Sequence, residues 1–265
     1  MQILSQHVTG FPYRGEQTIT VLSSTRITLF TRSCFPVRRT GFPVRGTGAP
    51  NFNDPGAGTP MLAFSQAAEN NKQPIMQELG NWFAACHTVL EIGSGTGQHA
   101  VFFTQNLPHL IWQPTELPGA LAPLAARISA QAPANLRPPL ALDVCAADWA
   151  LPKPCYDGIF SANCLHIMAW PEVICLFAGI GNVLSDDGIV CIYGPFRYDG
   201  TYTSDSNARF DDWLRQRDGE SGIRDFEAVD ALAQQAGLGL SADVAMPANN
   251  QLLVWRKTAQ AVAHP

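Results

Sequence analysis

The stretch Val89-Leu-Glu-Ile-Gly-Ser-Gly-Thr-Gly97 decides the fold. Branched apolar residues at positions 89, 90 and 92 are typical of a strand covered on both faces, and glycines at 93, 95 and 97 then clear side chains from a tight turn. Apolar residues at 100, 101, 103 and 107 recur at helical spacing, so we expect the turn to open a helix whose first N–H groups face it. A strand, glycine turn and helix in this order form a nucleotide-binding geometry.

The glycine spacing bears on which nucleotide would bind. A dinucleotide fingerprint is G-x-G-x-x-G, and its third glycine would fall on Gln98. The spacing here is E-x-G-x-G-x-G. Taken alone, this stretch also fits a structural loop that binds no ligand.

Strands and helices alternate along the rest of the chain. A first helix is predicted to run to about position 83, with Pro74 near its first turn. Further strands are predicted over 110–114, 140–143, 156–161 and 189–193, and further helices over 120–130, 171–184 and 224–237. The last two predicted strands, 239–246 and 251–256, face each other as an antiparallel edge. The pattern indicates an α/β fold with a mostly parallel sheet and helices on both faces.

Charge divides the chain in two. Residues 1–60 carry six Arg, no Lys and two acids, a balance of +4, whereas residues 61–265 carry 11 basic and 20 acidic residues, a balance of −9. The first segment repeats a Phe-Pro motif and contains many residues that break helices. We interpret it as a disordered basic extension, or as an over-long gene start preceding a true start at Met61. The folded domain is predicted over 61–257, with a flexible tail at 258–265.

Composition narrows the possible partners. The seven cysteines form no C-x-x-C pair, which favours reduced core residues of a cytoplasmic protein without a metal site. No apolar run is long enough to cross a membrane. The acidic folded domain also argues against nucleic acid, so we expect a small-molecule or protein substrate. The sequence is silent on the oligomeric state.

Polar residues follow the predicted strands where an open parallel sheet gathers its ligands. Glu116 ends the second strand, 19 positions after Gly97, where its carboxylate would accept hydrogen bonds from both hydroxyls of a ribose. Asp143 and Val144 end the third strand, where a side chain and a backbone N–H would contact an adenine edge. Each acid alone fits a loop or turn, but the two together after a glycine loop favour a nucleoside site.

These motifs resemble those of class I S-adenosylmethionine-dependent methyltransferases. The chain also contains the motifs Ala67-Ala-Glu-Asn-Asn-Lys72, Trp112-Gln-Pro114, Asn163-Cys-Leu-His-Ile167, Tyr193-Gly-Pro-Phe196, Asp205-Ser-Asn207 and Met246-Pro-Ala-Asn-Asn250. Within that class, these motifs resemble those of the DUF938 family, which includes methyltransferase-like protein 26.

The resemblance implies a seven-stranded, Rossmann-like methyltransferase sheet with an antiparallel last strand, and S-adenosylmethionine as the cofactor. The cofactor-binding residues that we predict are Glu91, Gly93, Ser94, Gly95, Gly97, Glu116, Asp143, Val144 and Asn163. The family does not identify the methyl acceptor.

Candidates for the acceptor side follow the later strands. His166 comes after the fourth strand and is a candidate general base, or else a packed histidine beside Ile167 and Met168. Neutral hydrogen-bonding groups that we predict on loops of the acceptor pocket are Tyr193, Asn207, Asn249 and Asn250. Two other functions stay open, a nicotinamide-dependent oxidoreductase and a donor-binding protein without catalysis.

Overall fold

A computed structural model describes residues 62–258 of the protein. Its helices are α1 (Gln66–Trp82), α2 (Gln98–Asn106), α3 (Leu121–Gln131), α4 (Trp170–Val183), α5 (Asp205–Arg217) and α6 (Phe226–Gln235). Its strands are β1 (Thr88–Ile92), β2 (Ile111–Glu116), β3 (Leu140–Ala141), β4 (Tyr156–Ala162), β5 (Leu184–Gly194), β6 (Phe196–Tyr198), β7 (Thr201–Tyr202), β8 (Arg224–Asp225), β9 (Leu238–Met246) and β10 (Asn250–Lys257). None of these helices is long and apolar enough to span a membrane. The proposed extension, the alternative start at Met61 and the tail beyond Thr258 lie outside the described residues.

Seven strands form one sheet in the order β3-β2-β1-β4-β5-β10-β9. Pairs from β3 to β5 are parallel, while β10 runs antiparallel to both β5 and β9. The predicted fold class and the antiparallel last strand are therefore confirmed. The chain builds outward from β1 to β3 and then returns to place β4 on the other side of β1. The strand order reverses between β1 and β4, which is where open α/β sheets bind ligands.

Helices cover both faces of the sheet because successive strand residues point to opposite sides. Val89 packs in a core with residues of α1, α2 and α3, and its neighbour Leu90 packs in a second core with residues of α4 and α6. All five residues of β1 are buried, as expected for a central strand. Since each fully buried large apolar side chain contributes about 1.5–3 kcal/mol, these two cores fix the position of the loop that follows β1.

Several element boundaries differ from the predictions, among them the start of β5 at Leu184 instead of position 189. Helix α1 begins at Gln66, capped by the Ser65 hydroxyl, so Pro74 lies in the helix interior and not near its first turn. The third strand ends at Ala141, before the predicted residue 143. The last helix begins at Phe226, because Arg224 and Asp225 pair with another strand.

A second, three-stranded sheet was not predicted. It has the order β7-β6-β8, and its central strand β6 follows directly after β5. Its strands have only two or three residues, too few to show alternation. Helix α5 was also missed, because its polar sequence gives little apolar periodicity.

Candidate functional site

The three glycines after β1 have different physical roles. All have positive φ, at +74° for Gly93, +56° for Gly95 and +76° for Gly97. A Cβ on Gly93 would overlap Sγ of Cys164, and one on Gly97 would lie 2.8 Å from Leu124 Cδ1. A Cβ on Gly95 would meet no atom within 4 Å. Packing accounts for the first and third glycines, whereas the second leaves open space against bare backbone.

Ser94 connects the glycine loop to strand β2 through hydrogen bonds. The Ser94 N–H donates to the Thr115 carbonyl over 2.9 Å, and the Ser94 hydroxyl accepts from the Thr115 N–H over 3.2 Å. Gly97 N–H then donates to the Ser94 carbonyl over 2.9 Å. Ser94 is buried, so its side chain supports the loop from below. The cofactor contact of Ser94 stays a prediction.

Glu91 also lies below the loop. Its carboxyl is buried, and Oε2 accepts a hydrogen bond from Trp112 Nε1 over 2.9 Å. Burial raises the pKa of Glu91 to about 7, against the opposing effect of hydrogen bonds from Trp112 and Ser94. The side chain therefore joins β1 to β2 at the base of the loop.

Glu116 reaches the open side of the same loop. It is the last residue of β2, as predicted, and its Oε2 accepts the Gly95 N–H over 2.7 Å. Its Oε1 accepts the Leu117 N–H over 2.8 Å. The side chain is only partly buried, so its carboxylate retains lone pairs for a ligand. Gly95 and Glu116 thus form the two sides of one polar corner at the carboxyl edge of the sheet.

The segment after β3 adjoins this corner. Leu142 N–H donates to the Glu116 carbonyl over 2.8 Å, so the two strand ends stay together beyond β3. Asp143 is exposed and its Oδ1 accepts the Cys145 N–H over 2.9 Å, which is a turn-forming contact. Val144 is buried.

Asn163 links the cofactor-side residues to the predicted acceptor side. It has a left-handed φ of +58°, and its N–H donates to the Tyr193 carbonyl over 2.8 Å. Its neighbour Cys164 places Sγ 3.6 Å from the Gly93 carbonyl oxygen. The turn after β4 is therefore in contact with both the glycine loop and the end of β5.

The four predicted acceptor residues meet in two pairs. Asn207 Nδ2 donates to the Asn249 carbonyl over 2.9 Å. Burial raises the pKa of Tyr193, and hydrogen bonds with Asn71 and Asn250 act in the opposite direction. Three of the predicted loop positions are wrong: Tyr193 is a buried residue of β5, Asn207 lies in the first turn of α5, and Asn250 is the first residue of β10.

His166 lies in the turn after β4 and is 5% exposed. Its ring makes an edge contact with Phe210, with ring centroids 5.3 Å apart. Burial lowers the pKa of His166 to about 4, and the charge of Arg224 adds to the shift. The ring is therefore neutral at pH 7.

Four polar residues around the site were missed by sequence reasoning as contributors to it. His99 Nε2 lies 2.7 Å from Asn71 Oδ1, and its ring stacks on Phe103. Burial lowers the pKa of His99 to about 4. Gln98 and Arg127 are also buried and contact the glycine loop. In the sequence, the signal for these residues is a polar side chain on an otherwise apolar helix face. It does not reveal their partners, which lie on distant segments of the chain.

The seven-stranded sheet has the class I S-adenosylmethionine-dependent methyltransferase fold. An O-methyltransferase family protein from Burkholderia thailandensis has a TM-score of 0.63 at 17% identity, with 71% of this chain and 57% of that chain covered. For human N-acetylserotonin methyltransferase in complex with SAM the TM-score is 0.56 at 14% identity, with 71% and 55% covered. The chain itself belongs to the DUF938 family, described as protein of unknown function, which it matches over residues 62–257.

A third solved structure is similar over a comparable share of the chain. An O-methyltransferase family 2 protein from Planctomyces limnophilus, in complex with apigenin, has a TM-score of 0.60 at 20% identity, with 72% of this chain and 58% of that chain covered. The chain thus spans a little over half the length of these structures. At these identities the similarity establishes the fold.

Proposed function

We propose that this protein is an S-adenosylmethionine-dependent methyltransferase that acts on a small-molecule or protein acceptor. The observation that carries the proposal is the corner between Gly95 and Glu116. Bare backbone with open space stands beside a carboxylate that already reaches the same loop. A nucleoside fits this arrangement, because a ribose edge can approach backbone closely while its hydroxyls donate to the carboxylate.

Each neighbouring group has a distinct part in donor binding. Glu116 would accept hydrogen bonds from the ribose hydroxyls. The exposed carboxylate of Asp143 and the backbone N–H of Val144 would contact the adenine edge. Gly93 and Gly97 keep the loop in its positive-φ conformation, while Glu91 and Ser94 hold it from below. Asn163 would lie between the donor and the end of β5.

Methyl transfer depends mainly on the alignment of the acceptor with the methyl group of the donor, and it requires no catalytic triad. The bound donor supplies a methyl group on a sulfonium, which an acceptor nucleophile takes by in-line displacement. The chain's own task is to orient the acceptor, exclude water and receive a proton where the acceptor loses one. We propose Tyr193, Asn207, Asn249 and Asn250 as neutral hydrogen-bonding groups for orientation.

His166 is the proposed proton acceptor where one is required. Its ring is neutral at pH 7 and so able to take a proton, but a pKa of about 4 gives little driving force for the transfer. Transfer of labelled methyl by His166→Ala at the wild-type rate would exclude this role.

The location proposed for the enzyme is the cytoplasm, which fits the six free cysteines within residues 62–258.

Two measurements test the function. Titration calorimetry should detect binding of S-adenosylmethionine and no binding of NAD(H) or NADP(H), which separates a methyltransferase from an oxidoreductase. The buried Gln98 side chain supports this expectation, because it stands where a dinucleotide site needs its third glycine. Tritium transfer from labelled donor into cell extract then separates an enzyme from a donor-binding protein. Absence of donor binding would refute the proposal.

A further inference from the structure

Arg127 joins three separate segments beside the glycine loop. It projects from α3, and only 9% of the residue is exposed. Its Nε donates to the Thr96 carbonyl over 2.7 Å, and Nη2 donates to the Ala63 carbonyl over 2.5 Å. Its Nη1 donates to Gln131 Oε1 over 3.0 Å. One buried cation therefore connects the glycine loop with the chain that leads into α1.

Gln98 makes a second connection between the same two segments. Its Oε1 accepts the Ser65 N–H over 2.5 Å and the Thr96 hydroxyl over 3.1 Å. Its Nε2 donates to Glu69 Oε2 over 3.3 Å. Gln98 is 7% exposed, so these contacts satisfy a buried amide at both of its ends.

These contacts control the conformation of the loop. The peptide group is planar, so fixing the Thr96 carbonyl also fixes the direction of the Gly97 N–H, which donates to the Ser94 carbonyl. Losing the partner of a buried polar group costs about 1–3 kcal/mol, and more where the group is charged. Movement of the segment before α1 would thus leave Arg127 without one of its carbonyl partners.

We propose that Arg127 is a positioning residue for donor binding, which holds the glycine loop in its binding conformation by tying Thr96 to Ala63. The inference rests on the proposed function, since it concerns the donor site of that enzyme. Coupling between the loop and the segment 63–69 is reciprocal, so donor binding must also stabilise that segment. Arg127 itself has no contact with the donor in this proposal.

The first test measures the affinity for S-adenosylhomocysteine, the product of the donor, by titration calorimetry on the full chain. Arg127→Met keeps the apolar stem of the side chain and removes its donors, and we expect roughly tenfold weaker binding, within the usual range of coupling between sites. Arg137→Met is the matched control, because Arg137 is exposed, and it should bind as the wild type does. Measurement well below the unfolding temperature of each variant removes the effect of global stability.

The second test follows hydrogen exchange in the wild type and in Arg127→Met. S-adenosylhomocysteine should slow exchange in both 63–72 and 93–99 of the wild type, and only in 93–99 of the variant at saturation. If Arg127→Met does not fold, Arg127→Lys takes its place, since it keeps the charge and has one nitrogen in place of the three that bond Thr96, Gln131 and Ala63. Rescue by lysine to wild-type affinity would overturn the proposal.

The outcomes separate the two claims. A wild type that binds no S-adenosylhomocysteine refutes the proposed function and this inference with it. A wild type that binds, together with an Arg127 variant of equal affinity, refutes the positioning role alone. Binding that leaves exchange in 63–72 unchanged in the wild type also refutes it.

Discussion

The backbone N–H of Gly95 donates a hydrogen bond to Oε2 of Glu116 over 2.7 Å. This contact joins the turn after β1 to the end of β2, although the two residues are 21 positions apart. It places a carboxylate at the one glycine of the loop that has open space above it. This arrangement fits the ribose site that we propose.

Replacing Glu116 by Gln should weaken donor binding. The amide oxygen can still accept the Gly95 N–H, but the charged acceptor for the ribose hydroxyls is lost. Hydrogen bonds to charged groups contribute about 1.5–3 kcal/mol, so we expect the Kd for S-adenosylhomocysteine to rise about tenfold or more. Calorimetry of Glu116→Gln beside the exposed control Asp186→Asn checks this. Equal affinity in the two variants would contradict the ribose role.

Gly95→Asp should abolish donor binding. The new side chain would fill the open space where ligand meets backbone, and would bring a negative charge close to Glu116. It would also strain a backbone at φ +56°, at a cost of about 1–3 kcal/mol. Gly237→Asp is the matched control, since Gly237 also has open space and a positive φ of +78°.

The comparison of these two glycine variants separates strain from site blockage. Both should lose a similar amount of thermal stability, as measured by differential scanning calorimetry. Gly237→Asp should retain affinity for S-adenosylhomocysteine because Gly237 ends α6 and leads into β9. Retained affinity in Gly95→Asp would exclude the open space as a donor site.

The raised pKa of Glu91 predicts a pH-dependent stability. Its pKa moves from 4.5 to about 7 on folding, so between these values the folded state binds more protons than the unfolded state. The contribution of Glu91 is fully present below pH 4.5 and is lost as pH rises through about 7. The loss is at most about 3 kcal/mol, from the free energy per unit of pKa.

Glu91→Gln tests this directly, because Gln can still accept from Trp112 but does not ionise. The unfolding temperature of the variant relative to wild type should be higher at pH 8 than at pH 5. Taking the difference between the two proteins cancels the contributions of all other titrating groups. An equal difference at both pH values would show that the pKa is not raised.

The two buried histidines predict a loss of stability in acid. Burial lowers the pKa of His99 and of His166 to about 4, so below pH 6.5 the unfolded state takes up protons that the folded state does not. Their contribution is present above pH 6.5 and is lost as pH falls toward 4. In nuclear magnetic resonance of nitrogen-labelled protein, both rings should stay neutral from pH 5 to 8.

Single variants assign these histidine signals. His99→Gln and His166→Gln should each remove one signal and reduce the acid loss of stability measured by urea unfolding. A ring that protonates near pH 6.5 would contradict the burial that we describe.

The sheet could be predicted from sequence because its strands are apolar runs that end in polar residues. Position 116 illustrates this, since an acid at the end of a predicted strand has few other places to lie than the carboxyl edge of a parallel sheet. Pro74 shows the limit of local rules. Proline favours the first turn of a helix, but α1 begins eight residues earlier because Ser65 caps it and Ile75 and Leu79 pack against the sheet.

Contacts between distant segments explain what the sequence could not reveal. His99 and Asn71 are 28 residues apart, and Arg127 and Ala63 are 64 apart. No periodicity within one element encodes such pairs. The sequence shows that Gln98 stands where a dinucleotide site needs a glycine. Its hydrogen bond with Ser65, however, depends on the position of α1 in the folded protein.

The hydrogen bonds that join Arg127 to Ala63 and Gln98 to Ser65 also affect where a purification tag can be placed. A purification tag fused close to residue 62 would emerge beside the glycine loop and compete with those contacts. The other end is safer, since Thr258 N–H donates to the Gly237 carbonyl, at the edge where the parallel strands begin. A carboxyl-terminal tag should therefore leave ligand measurements unaffected.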